Sequence, residues 1–332
     1  MKKEFLGKTN IAFIAGMVIL PVLSALICLC IGRYSISPAE MLDWLFGGSV
    51  GATKASVLMQ RVPRILTAVL VGAGLSAAGC VLQSAFSNPL ATPDTLGVAS
   101  GSGFGAALAI LLGFSMVGSQ LLAFVFGILA LGLTRICGKR SGGRATMILA
   151  GVMIGSLFSS LVSLVKYVAD TESQLPAITY WLMGSLNGSG FKTLSFGAPA
   201  IVIGLGCLFF MRRKLNLLPL SDDEASSLGT NVKRLRAVSL ACAAAITASS
   251  VSMCGPVGWV GLLVPHICRM LFENDHRKLI PACISFGAAF LVIVDTLARS
   301  LTASEIPISI LTSIIGAPFF VFILKKKGGV QL

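Results

Sequence analysis

"QRVPRILTAVLVGAGLSAAGCVLQSAFSNPLATPDTLG", Gln60 to Gly97, opens on two arginines around a proline, runs from Ile65 to Phe86 without a charge, and ends in a proline-broken polar segment. A membrane-crossing helix needs about 20 predominantly apolar residues. The uncharged run meets that length, and similar runs recur along the chain. The 332 residues are 55% hydrophobic and only 12% charged, and their mean hydropathy is +0.90, outside the range of soluble domains. The sequence therefore reads as an all-α polytopic membrane protein. The formal charge of +13 does not indicate nucleic acid, because the basic residues fall in short clusters between apolar runs.

On length and charge we expect about ten spanning helices: Ile11 to Ile31, Ile65 to Phe86, Leu96 to Leu112, Val117 to Ile136, Ala145 to Val165, Leu194 to Met211, Ala237 to Met253, Val257 to Leu271, Leu279 to Leu297 and Ile306 to Leu324. The third and eighth are short and glycine-rich. The first follows Lys2, Lys3 and Lys8 like a signal peptide, but its length and the lack of a small-residue cleavage site before Arg33 predict a retained helix. With both termini cytoplasmic, 19 of the 26 Lys and Arg fall in inner loops, as the positive-inside rule requires. The other seven, Arg33, Lys54, Arg61, Arg64, Lys166, Lys192 and Arg299, lie at or near the outer surface. Arg61 and Arg64 are thus on the wrong side to be topology signals.

The punctuation repeats. A long helix near Phe86 breaks into "SNPLATPDTLG" and "VASGSGFGAALA", and a second ends in "SVSMCGPVGWVGLLVPH". Two inverted five-helix halves, about 1–170 and 190–332 within one transmembrane domain, are expected from this pattern.

Several chemistries have no residues to carry them. The helix interiors hold almost no carboxylate, His or Lys of the kind that ion-coupled carriers place at mid-membrane, and "GSGFKT", Gly188 to Thr193, lacks the adjacent Gly-Lys of a phosphate-binding loop. Any energy for uphill transport must come from another subunit. The nine cysteines lack metal-ligand spacing, and the two histidines, His266 and His276, are too few for a metal cage, so no metal site and no catalytic constellation is expected. Within the polar inner loop 212–236, Ser221 and Glu224 form a capping box, Asp222 and Asp223 suit a helix N-terminus, and Gly229 suits its end, predicting a surface helix from Asp222 to Leu228.

Taken in order, "RVPR" at Arg61, "GAGLSAAGCVLQSAFSNPLATPDTLGVASGSGFG" at Gly72, "GPVGWVGLLVPHICRML" at Gly255, "DTLARS" at Asp295 and "EIPISILTSIIGAPFF" at Glu305 resemble the permease family of type II ABC importers for ferric siderophores, haem and cobalamin. The resemblance implies ten helices per subunit and a dimer with a central path. It also implies two ATPase subunits that hold ATP and Mg, an external binding protein, and a place in the bacterial cytoplasmic membrane. No cofactor is implied in this chain. A ferric siderophore is the expected cargo, with haem and cobalamin open, and the partner permease is either a second copy or a paralogue.

By the same resemblance, Arg61, Arg64 and Arg299 receive acidic side chains of the binding protein. Ser221, Asp222, Asp223, Glu224, Ala225, Ser226, Ser227, Leu228 and Gly229 couple to the ATPase. Asn88, Pro89 and Leu90 form a cytoplasmic gate facing Arg144 and Ala145, whose residues depart from the small hydroxyl residues of some relatives. Tyr180 and Trp181 either line the substrate entry or anchor the interface. A secondary carrier and a membrane-embedded enzyme remain as other readings, the first marked by uptake without an ATPase, the second by turnover of a lipid or peptide.

Overall fold

The structure is a computed structural model that describes residues 2–139, 143–220, 224, 227–302 and 304–326. Among these residues every regular element is helical. In chain order they are α1 (Lys2–Cys30), α2 (Pro38–Leu45), α3 (Ala52–Ala85), α4 (Val98–Leu111), α5 (Met116–Lys139), α6 (Arg144–Val168), α7 (Gln174–Leu182), α8 (Phe191–Met211), α9 (Val232–Cys254), α10 (Val260–Phe272), α11 (His276–Ser300) and α12 (Ile308–Lys326). Two 3-10 turns, Pro93–Leu96 and Lys214–Leu217, lie between them. Seven of the described helices, α1, α3, α5, α6, α8, α9 and α11, are long and apolar enough to cross a membrane; α4, α10 and α12 are shorter apolar helices.

The core is helix on helix. The apolar windows of α3, α9 and α11 are mostly buried in protein, whereas that of α1 is little buried, as suits a helix facing lipid on one side. Alanine, glycine and serine line the central contacts, because small residues let helix backbones approach where no water-driven term holds them together. At the crossing of α3 with α11 the approach is close enough that a Cβ on Gly72 would clash with the Gly287 carbonyl, and one on Gly287 with that of Gly72.

The long helices fall on the expected apolar runs, with one informative difference. α3 begins at Ala52, well before Ile65, so Pro63 lies inside it rather than at its start. At 1.5 Å per residue its 34 residues extend about 51 Å, against about 30 Å of hydrocarbon. About 20 residues back from Ala85 lies Ile65, so Arg61 and Arg64 occupy the rim where the helix leaves the hydrocarbon opposite the Ala85 end. The expected boundary failed because Lys54, Gln60 and Arg61 interrupt the apolar run, while the helix continues as one face finds partners.

Two short helices were not expected. α2 starts with a full capping box: Ser37 Oγ accepts from the Glu40 amide at 3.3 Å, and the Ser37 amide donates to Glu40 Oε2 at 3.1 Å. α7 lies between α6 and α8 and carries Tyr180 and Trp181.

Candidate functional sites

The arginine motif forms the wall of a cavity. Arg33, Tyr34, Gln60, Arg61, Arg64, the 186–191 segment, Arg299 and Glu305 enclose about 530 Å³. Arg64 is the most constrained of them. Its Nε donates to both Asp295 oxygens at 3.0 Å, its Nη2 to Asp295 Oδ1 at 2.8 Å, and its Nη1 to both Glu305 oxygens at 2.9 Å. The guanidinium fork therefore clamps α3 to α11 and to the connection before α12, a geometry suited to paired carboxylates.

Arg61 donates from Nη1 to the Leu29 carbonyl and from Nη2 to the Tyr34 carbonyl, both at 2.7 Å, and Arg299 donates to the Cys28 carbonyl. Both cations thus meet the C-terminal end of α1, whose last carbonyls lack helical partners and carry the negative end of the dipole. Gly32 permits this arrangement, because a Cβ there would overlap the Arg61 and Arg299 guanidinium groups. All three arginines are largely buried, so they line a recess instead of standing out from the surface. Counting Arg33, which donates to the Thr302 carbonyl, the recess is lined by four guanidinium groups against the two carboxylates of Asp295 and Glu305, of which only Arg64 and Arg299 reach a carboxylate, and it keeps an excess of positive charge.

Near this recess, Lys54 pairs with Glu40, and that hydrogen bond, with those from Ser37, holds the Glu40 carboxyl below the usual carboxylate range.

The expected gate residues meet the neighbourhood of the coupling loop. After α3, Ser87 adopts a φ of 48°, a left-handed conformation uncommon outside glycine, and Asn88 closes the turn by accepting the Leu90 amide at 2.9 Å. Arg144, the first residue of α6, donates to Ser87 Oγ. Its Nη2 also reaches the carbonyls of Leu218 (3.3 Å), Pro219 (3.1 Å) and Leu220 (2.8 Å). One side chain thus joins the Ser87–Leu90 turn, the start of α6 and the segment entering the 212–236 loop; Ala145 beside it is exposed, and Pro89 and Leu90 complete the turn.

A second chain of hydrogen bonds runs parallel. Ser84 Oγ meets His276 Nε2 at 2.7 Å, His276 Nδ1 meets Asn216 Oδ1 at 2.8 Å, and Asn216 Nδ2 donates to Asp275 Oδ1 at 2.8 Å. Burial pushes the Asp275 carboxyl up, but the Asn216 and Arg277 donors outweigh it and hold it below its ordinary range. Of the expected coupling helix, Ser221, Asp222, Asp223, Ala225 and Ser226 lie outside the described residues. Glu224 accepts from Ser227 Oγ through its backbone carbonyl at 2.9 Å, Leu228 is exposed, and Gly229 has a φ of 72°.

Sequence reasoning missed a third site. Asp94, on the turn between α3 and α4, lines a cavity of about 350 Å³ with Ser100, Ser159, Leu182 and Pro256 among its other walls. Leu182 ends α7, which places the helix of Tyr180 (exposed) and Trp181 (half-buried) at this cavity's edge. The Arg64 partners were also missed, although Asp295 and Glu305 both stood inside quoted motifs; a carboxylate in an apolar helix is the available signal, because it needs a buried cation.

The FecCD transport family matches residues 19–326. The molybdate import system permease protein MolB of Haemophilus influenzae is 41% identical over 325 residues, covering 95% of this chain and 96% of its own. An iron chelatin transport system permease protein of Helicobacter pylori is 35% identical, covering 93% and 97%. Other relatives are named for cobalamin and haemin import. Among solved structures, an inward-facing metal-chelate type ABC transporter matches with a TM-score of 0.87 and 41% identity, covering 94% of this chain and 98% of that one.

Proposed function

Because the chain belongs to the FecCD transport family, and so is a multi-pass ABC importer permease whose ATP hydrolysis lies in a separate ATPase, we propose that it forms the translocation path for a metal chelate. The observation that carries this reading is the near full-length likeness, at 41% identity, to a metal-chelate type transporter. A ferric siderophore is the cargo we favour, with haem and cobalamin as the alternatives. The ten apolar helices, seven long and three short, cross the bacterial cytoplasmic membrane with both termini inside, and two permease subunits pair around the path.

In this reading the binding protein docks over the arginine recess. An acidic side chain entering it meets Arg61, Arg299 and Arg33, while Arg64 holds the recess in shape. The coupling loop sits on the ATPase, and Arg144 passes its movement to Ser87 and the Asn88 gate. The chain needs no cofactor of its own.

The test is reconstitution with the cognate ATPase and binding protein, measuring ATP hydrolysis stimulated by loaded binding protein. Stimulation by a ferric chelate, haem or cobalamin supports the reading, and stimulation by none of them overturns it. Docking is tested separately: Arg61→Gln with Arg33→Gln should weaken binding-protein affinity by about tenfold, as expected for loss of charge-assisted contacts at an interface. Unchanged affinity would refute the docking assignment.

A further inference from the structure

We propose that Asp94 makes the translocation path selective by charge, so that the cargo is a metal chelate of neutral or positive net charge and not an oxyanion. The proposal rests on the importer reading above and narrows it.

Asp94 is the only charged residue among the described residues lining the 350 Å³ cavity. The remaining walls are the small or apolar faces of α4, α6 and the 256–258 segment, with hydroxyls at Ser100 and Ser159. A second, small recess behind it, lined by Leu75, Thr247, Val251 and Trp259, again has Asp94 as its one charged residue. No described donor or cation partners the carboxylate, and the residue is exposed where it lines the cavity. A carboxylate left unpaired in an apolar setting is costly, and inside membrane proteins such groups mark ion and substrate pathways.

The turn that carries Asp94 is held from several sides. Pro93 fixes the backbone before it, the Gly97 amide donates to the Asp94 carbonyl at 2.9 Å, and Thr95 Oγ1 donates to the Thr92 carbonyl at 2.6 Å. Thr134 of α5 donates to the Leu96 carbonyl at 3.0 Å, and Gly151 of α6 lies so near the Thr95 carbonyl that a Cβ would clash. The charge therefore has a fixed position.

At an effective dielectric of about 20 and a separation of about 10 Å, one unit charge changes the local concentration of a monovalent ion on the order of tenfold. The effect repels a dianion and attracts a cation, and a second copy across the path doubles the energy and so squares the concentration change. The outer recess is positive, but it meets the binding protein; the cargo meets Asp94. MolB, named for molybdate, shows that the family includes an oxyanion permease, so cargo charge is a property on which its members divide.

Two experiments test this. In the reconstituted complex, ATP hydrolysis is compared with a cationic ferric trihydroxamate, a neutral one, cobalamin, anionic haemin, a trianionic ferric tris-catecholate and molybdate, each with its binding protein. Stimulation confined to cationic or neutral cargo is expected. Stimulation by haemin or the catecholate overturns the charge rule while leaving the metal-chelate reading intact; stimulation by molybdate alone, or by no cargo, overturns the metal-chelate reading as well.

The second experiment needs no cargo. In the assembled complex bearing Ser159→Cys, the rates of modification by a cationic and an anionic methanethiosulfonate are read by mass spectrometry of the peptide around position 159. Adding the near-isosteric Asp94→Asn should lower the cationic-to-anionic rate ratio by on the order of a hundredfold, tenfold from each reagent. An unchanged ratio overturns the proposal.

Discussion

Asp295→Asn should destabilise this permease more than any other single loss of a carboxylate. The Asp295 side chain is 1% exposed and that of Arg64 11%, and five donor–acceptor contacts tie Arg64 to its two carboxylates. Asparagine keeps the shape but removes the charge, leaving Arg64 with Glu305 alone and Arg299 without its nearest anion at 3.9 Å. Breaking a buried ion pair from one side costs about 3–5 kcal/mol, because the remaining charge stays desolvated. Glu305 still satisfies one edge of the guanidinium, which puts the expected loss at about 3 kcal/mol. Glu305→Gln, at a site 22% exposed, should cost about 1 kcal/mol.

The apolar pair Arg64→Met with Asp295→Leu should return to within about 2 kcal/mol of wild type, since the two most buried charges leave together and Glu305, 22% exposed, turns to water. Reversible unfolding in mixed micelles, followed by circular dichroism, gives the comparison. The reasoning fails if Asp295→Asn lies within about 0.5 kcal/mol of wild type, or if the double variant is less stable than Asp295→Asn.

Three further outcomes follow from named contacts. Arg144→Ala removes the bridge between the Leu218–Leu220 carbonyls and Ser87, so transport per ATP hydrolysed should fall several-fold while the ATPase still assembles; normal stoichiometry would exclude the bridge from coupling. Gly32→Val forces side-chain atoms between Arg61 and Arg299 and should cost about 1–3 kcal/mol in the same unfolding assay, and a neutral effect would mean the guanidiniums do not meet there. The depressed Glu40 carboxyl implies a pH dependence with a definite sign. Its contribution to α2 is complete above the usual carboxylate range and is lost as pH falls through its lowered value. Trp44 fluorescence, with Trp181 and Trp259 replaced by Phe, should report that loss at acid pH, and Glu40→Gln should abolish the transition.

Most of the helical layout was legible because an uncharged run of spanning length has few other structures open to it. The same reasoning misjudged the start of α3. Arg61 and Arg64 look like a boundary in local sequence, and only Asp295, 231 positions from Arg64, and the end of α1 reveal why the helix runs through them. The capping box at Ser37 and Glu40 was readable in "SPAE", yet α2 is too short to register as an apolar run. Asp94 stood in plain view within a quoted motif, and nothing local says that a carboxylate in a loop faces a cavity assembled from α4, α6, α7 and the segment before α10.

The central claim, that a metal chelate crosses through this permease at the expense of ATP in a partner, is tested most directly by uptake of a radiolabelled ferric trihydroxamate into proteoliposomes. Accumulation should require the permease, its ATPase, ATP and loaded binding protein together, and should cease when any one is withheld. Accumulation by the permease alone, driven by an ion gradient, would contradict the account.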